Sequence, residues 1–137
     1  MTWFHWSDDF LTGTHDIDEQ HRRLVAMLNE FYDTLGQSDT DLALGRLLKG
    51  LLEYTRYHFS TEERYMIVHR YPDAEHHVAQ HAMFVAKVQG ISNQFDKGEV
   101  VLSLAITAYL RDWLSQHILV TDKRLGRFLA DRQTRSS

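Results

Sequence analysis

His58-Phe59-Ser60-Thr61-Glu62-Glu63 sets a histidine and a carboxylate four residues apart, late in a long helical pattern. On a helix, residues i and i+4 point the same way, so His58 and Glu62 project from one face. Counting back from Glu62 by threes and fours gives His58, Thr55, Leu51, Leu48 and Leu44, a largely apolar stripe of the kind that faces a core. A carboxylate on such a stripe needs a partner. An unpaired buried charge is costly enough that proteins pair it or bind a metal with it.

Three further stripes flank this one. Upstream, Asp18 reads as an N-cap with Glu19 in the first turn, and Ile17, His21, Leu24, Leu28, Phe31 and Leu35 define a helix that Gly36 ends. Residues 1–17 read as a non-helical arm whose aromatics, among them Trp3, Phe4, Trp6 and Phe10, pack against the helices. Ser38 to Asp41 offer an N-cap for the second helix, which carries the leucine stripe through Tyr65 and Met66. Pro72-Asp73 is the start signal of a third, with the stripe His77, His81, Phe84, Val88, Ile91 and Phe95, and Lys97-Gly98 stops it. A fourth opens near Glu99, runs Leu102, Ile106, Leu110, Trp113 and His117, and reaches at least Asp122. Leu125, Phe128 and Leu129 either continue it or begin a short helix of their own.

No strand pattern competes and all connections are short. The predicted fold is all-α, an antiparallel up-down-up-down four-helix bundle with an N-terminal non-helical arm. Residues 1–137 form one domain, with the arm at 1–17 and the bundle and C-terminal extension at 18–137. In that topology the start of the first helix, the end of the second, the start of the third and the end of the fourth share one end of the bundle. His21, His58, Glu62, His77, His81, His117 and Asp122 therefore converge in one layer, about 11 Å deep at 5.4 Å per turn.

Composition bounds what this layer does. Net charge is −4 with acids and bases interspersed, which leaves no electrostatic footprint for nucleic acid. The sequence has no apolar run long enough to span a membrane and no secretory signal at Met1, so a soluble cytoplasmic protein is expected. With no cysteine, disulfides, thiolate zinc sites and iron–sulfur clusters are excluded, and any metal is held by nitrogen and oxygen. Nine histidines suit such a metal.

Five imidazoles and two carboxylates exceed the usual four to six ligands of a single ion, so the layer predicts two metals bridged by the carboxylates. Two divalent ions, two carboxylates and one hydroxide leave about one positive charge, which a partly buried site can carry. Ligand softness favours iron, then manganese or zinc. The Glu-x-x-His motif of ferritin-like di-iron proteins and the His-Glu-x-x-His motif of zinc proteases are both absent.

At these residues the sequence resembles the hemerythrin family, in particular its single-domain bacterial members. The resemblance rests on Ile17-Asp18-Glu19-Gln20-His21, His58-Phe59-Ser60-Thr61-Glu62-Glu63, Tyr71-Pro72 with His77-Val78-Ala79-Gln80-His81, and Trp113-Leu114-Ser115-Gln116-His117-Ile118 with Asp122. It implies a non-heme di-iron centre, two iron ions (Fe2+/Fe3+) with an oxo or hydroxo bridge. One iron would take His77, His81 and His117 and the other His21 and His58, with Glu62 and Asp122 bridging both. Two histidines against three leave a coordination position open for O2. The function implied is reversible O2 binding for carriage, storage or sensing, by a monomer whose partners are O2 and a redox protein. The alternatives are a di-iron enzyme acting on NO or peroxide, and an O2 or redox sensor acting on a partner protein.

One interval breaks the helical rule. His117 and Asp122 are five residues apart, which on a regular helix separates their directions by about 140°. A π-bulge or a change of helix between Ile118 and Asp122 is therefore predicted. Other residues take plainer readings. His76 and Glu63 point about 100° away from their ligand neighbours and are expected to face solvent. His5, His15 and His69 read as surface or packing histidines, with His15 near the metal end of the bundle. Phe59, Trp113, Leu114 and Ile118 read as core packing that also keeps the centre dry.

Overall fold

The computed structural model describes residues 4–35, 40–99 and 103–136. After a 3-10 turn (Asp8–Phe10) come α1 (His15–Thr34), α2 (Thr40–Val68), α3 (Ala74–Asp96) and α4 (Ser103–Gln116), then a π-helical segment (His117–Asp122) and α5 (Lys123–Ser136). Among the described residues there is no strand. α4, the π segment and α5 form one continuous fourth rod, so the C-terminal leucines extend that helix. α1 packs against α2, α2 against α3, and α4 against α1, which gives the antiparallel four-helix bundle the stripes predict.

Helix boundaries follow local chemistry. α1 begins at His15 with Thr14 extended at its N-cap, so Asp18 is not the cap. Its carboxylate reaches back instead, accepting from the Thr12 backbone N–H (2.8 Å), the Thr12 hydroxyl (2.7 Å) and the Gly13 N–H (3.2 Å). The arm's polar backbone is thereby paired before the helix begins. α3 starts behind Asp73 and stops at Lys97, followed by Gly98 at φ 78°, the left-handed geometry that glycine adopts without strain. Gly36, Ser38, Asp39 and Leu102 lie outside the described residues, as does Trp3.

Two apolar clusters bracket the polar layer. The larger contains Leu24, Leu28, Leu44, Leu48, Leu51, Phe84 and Leu110, each buried, and burial of such a side chain contributes about 1.5–3 kcal/mol. The smaller joins Ile17, Met66, Tyr71, Leu125 and Leu129 beyond the layer, so α5 closes the end of the bundle. The arm crosses α5 at Gly126, where an added Cβ would stand 2.4 Å from the Thr12 carbonyl oxygen. Only glycine permits that crossing. Phe4 and Phe10 are buried in the larger cluster, and the Asn29 amide both accepts from the Phe4 N–H (2.7 Å) and donates to its carbonyl (2.8 Å).

Candidate metal centre

His21 comes from α1, His58 and Glu62 from α2, His77 and His81 from α3, and His117 and Asp122 from the two ends of the π segment. All seven side chains are buried, none more than 4 % exposed. The π segment places the last two together. The N–H of Lys123 bonds to the carbonyl of Ile118, five residues back, and this wider turn brings residues five apart onto one face. His117 Nε2 and Asp122 Oδ1 stand 3.1 Å apart, so the predicted irregularity is present where the interval demands it.

The seven form two overlapping sets. Glu62, His77, His81, His117 and Asp122 make one and His21, His58, Glu62 and Asp122 the other, and within each set one donor atom per residue lies within 4.8 Å of all the rest. Both sets share the two carboxylates. Asp122 turns one oxygen to each side, with Oδ1 3.0 Å from His77 Nε2 and Oδ2 2.8 Å from His21 Nε2.

The fit to metal can be tested on the atoms themselves. His21 Nε2, His58 Nε2, His77 Nε2 and all four oxygens of Glu62 and Asp122 are buried without a hydrogen-bond partner. They approach one another closely but not in hydrogen-bond alignment, as donors do when they converge on a common centre. Two donors at right angles on one ion, each about 2.1 Å from it, stand about 3 Å apart. The Nε2 atoms of His81 and His117 are 3.2 Å apart, and Glu62 Oε1 lies 3.1 Å from His81 Nε2. The residues fit nitrogen- and oxygen-ligated cations.

Three imidazoles are fixed from behind, each by the neighbouring helix. Gln20 of α1 accepts from His58 Nδ1–H (2.7 Å) while its amide nitrogen donates to Thr61 Oγ1 (3.2 Å). Glu63 of α2 accepts from His81 Nδ1–H (3.0 Å), and Gln80 of α3 accepts from His117 Nδ1–H (3.0 Å) and from the Thr121 hydroxyl (2.9 Å). An Nδ1–H that donates outward leaves Nε2 as the nitrogen facing inward, whose lone pair a cation can take in place of a proton. Aromatic rings hold the same side: Phe59 lies flat on His81 (3.7 Å, 4°) and Trp113 on His117 (4.5 Å, 12°).

Glu63 is thus not a solvent-facing bystander, and Gln20 and Gln80 join it as residues the stripes do not pick out. Their signal is positional: each stands beside a candidate ligand in sequence yet pairs with a candidate ligand on the adjacent helix. His76 is exposed, and its ring nitrogen accepts from the Gln80 amide (3.0 Å). His5 and His15 are exposed, and His69 stacks on Tyr65 (6.3 Å, 11°).

In the metal-free chain protons stand in for cations. Burial pulls His77 down, but the Asp122 and Glu62 oxygens outweigh it and push it up to about 9. Burial likewise opposes His117, which Asp122 and Glu62 raise to about 10. His58 is lowered to about 4, because burial outweighs its pairing with Glu62. Burial would raise both Glu62 and Asp122, and Asp122 would raise Glu62 further, yet the surrounding imidazoles hold both well below the usual carboxylate range.

The profile of the Hemerythrin HHE cation binding domain family matches residues 12–129. A bacteriohemerythrin of Methylococcus capsulatus is 32 % identical over 126 residues, 92 % of this chain and 94 % of that protein. One from Pseudomonas aeruginosa is 34 % identical over 113 residues, 82 % of this chain and 72 % of that protein, and myohemerythrin-1 of Phascolopsis gouldii is 28 % identical over 85 % of this chain and 87 % of its own length. The crystal structure of a wild-type hemerythrin superposes with a TM-score of 0.87 at 30 % identity, covering 93 % of this chain and 98 % of that one. Among the described residues no helix is long and apolar enough to cross a membrane. By profile, by relatives and by structure, this chain belongs to the hemerythrin family.

Proposed function

We propose that the chain binds O2 reversibly at two non-heme irons held by the seven residues of the layer. The observation that carries this reading is the inequality of the two sets, which share Glu62 and Asp122 while one adds three imidazoles and the other two. His77, His81 and His117 would complete one ion, and His21 and His58 would leave the other a position short, open to a small ligand. The metal pair, when bound, supplies the electrons that reversible O2 binding needs, and the oxo or hydroxo bridge of the family belongs with it.

The chain's own residues bind, orient and exclude water. Gln20, Glu63 and Gln80 fix three ring tautomers so that each presents Nε2 to the centre. Phe59, Leu114 and Ile118 are buried above the layer and keep solvent out, which favours release of O2 over loss of the bound electrons to oxidation. Asp18, the one other buried acid among the described residues, is paired with the arm rather than turned to the layer. Under the same proposal the chain works as a cytoplasmic monomer served by a redox partner.

The test is anaerobic reconstitution of metal-free protein with Fe(II), followed by air and then an inert-gas purge. Two irons per chain and a coloured adduct that forms in air and fades on purging are expected. An adduct that never forms, or never reverses, overturns reversible binding. Sustained consumption of NO or peroxide with an electron donor would replace it with the enzyme reading.

A further inference from the structure

The imidazoles of the layer are not backed alike. His58 and His117 donate to neutral amides, Gln20 and Gln80, and His21 and His77 have no partner at Nδ1. His81 alone donates to a carboxylate from Nδ1, the nitrogen that faces away from the centre, to Glu63 Oε2 at 3.0 Å. Phe59 stacked flat on the ring holds its plane, so the Nδ1–H stays directed at Glu63. Glu62 and Asp122 belong to both donor sets and do not distinguish them. Among the described residues Glu63 is the one anion that does.

We propose that Glu63 is a positioning residue that acts through His81 to favour the oxidised state of the metal held by His77, His81 and His117, an inference resting on the di-iron reading. A carboxylate draws the Nδ1 proton toward itself more strongly than an amide does, and Nε2 becomes the better donor. A better donor stabilises the higher charge on the ion it meets. Glu63 would thereby divide the labour of the two sides: the ion that His77, His81 and His117 would hold becomes the readier to give up an electron, while His21 and His58 would leave the other its open position. Glu63 itself touches neither the metal nor the ligand that binds there.

The experiment uses the full chain as wild type, Glu63→Gln, Glu63→Asp and Gln80→Glu, each reconstituted with Fe(II). Iron per chain, the reduction potential of the oxidised protein and O2 affinity are measured for each. Glu63→Gln keeps the shape and removes the charge, so its potential moves positive and O2 affinity falls, roughly tenfold at the lower end of what such outer hydrogen-bond partners contribute. Glu63→Asp restores part of the shift. Gln80→Glu puts a carboxylate behind His117 and moves the potential the other way. If Glu63→Gln loads fewer irons, the sign of the Gln80→Glu shift decides. Full iron in Glu63→Gln with an unmoved potential, or no negative shift in Gln80→Glu, overturns the proposal. Wild type that fails to take up two irons overturns the di-iron reading itself, which separates the two failures.

Discussion

Burial acts on His58 and His117 alike, yet in the metal-free chain the first is lowered to about 4 and the second raised to about 10. Proximity to the carboxylates decides. His58 has Glu62 at 3.5 Å, whereas His117 has Asp122 at 3.1 Å and Glu62 at 3.9 Å. Both nitrogens nevertheless face the same layer, so His58→Ala and His117→Ala are each expected to lose at least one of two irons, and His76→Ala none, as measured by elemental analysis of the purified proteins. Full loading of His117→Ala would remove it from the ligand set. At this scale the stripe positions were legible because a core-facing histidine or acid repeats with the apolar period. Gln20, Glu63 and Gln80 were not, since their wheel angle points away from their own ligand neighbour and nothing in one helix's period says how the next is rotated against it.

The fourth rod carries the layer's geometry through one wide turn. Five residues from His117 to Asp122 fit a π turn, and the exposed side chains of that turn are Leu119 and Val120. Deleting Val120 leaves four residues, which on an α-helix again share a face. Inserting an alanine after Val120 adds about 100° of rotation and turns Asp122 out of the centre. The deletion is therefore expected to bind metal and the insertion to lose it, with equal helix content by circular dichroism. Metal loss on deletion with retained helicity would show that the π turn does more than restore register. The sequence announced this element by the mismatch of an interval with a period. It held no such sign of the Asp18 contact to the arm, because the same aspartate beside an apolar stripe reads equally well as a cap.

For the molecule as a whole, the layer is a buried reservoir of charge between two apolar clusters, and its protons tie stability to pH. The antiparallel topology was legible from stripe and loop lengths, whereas the crossing of the arm at Gly126 depends on a tertiary approach that no local pattern encodes. In the metal-free chain, His77 and His117 are raised from 6.5 to about 9 and about 10, and His58 is lowered to about 4. Between about pH 4 and 6.5 the unfolded chain protonates all three and the folded chain only two, so stability rises with pH. The depressed carboxylates act in the same direction at the acid end. Above 6.5 the unfolded chain releases protons that the folded chain keeps on His77 and His117, and their stabilisation is lost as pH climbs through about 9 to 10. The melting temperature of the metal-free protein is expected to peak near pH 6.5. Metal must displace those two protons, so the stabilisation added by iron or zinc grows with pH over the range in which the metal-free protein weakens. Thermal melts with and without chelator across about pH 5 to 9 check both trends, and a metal-free melting temperature still climbing at about pH 8 would contradict them.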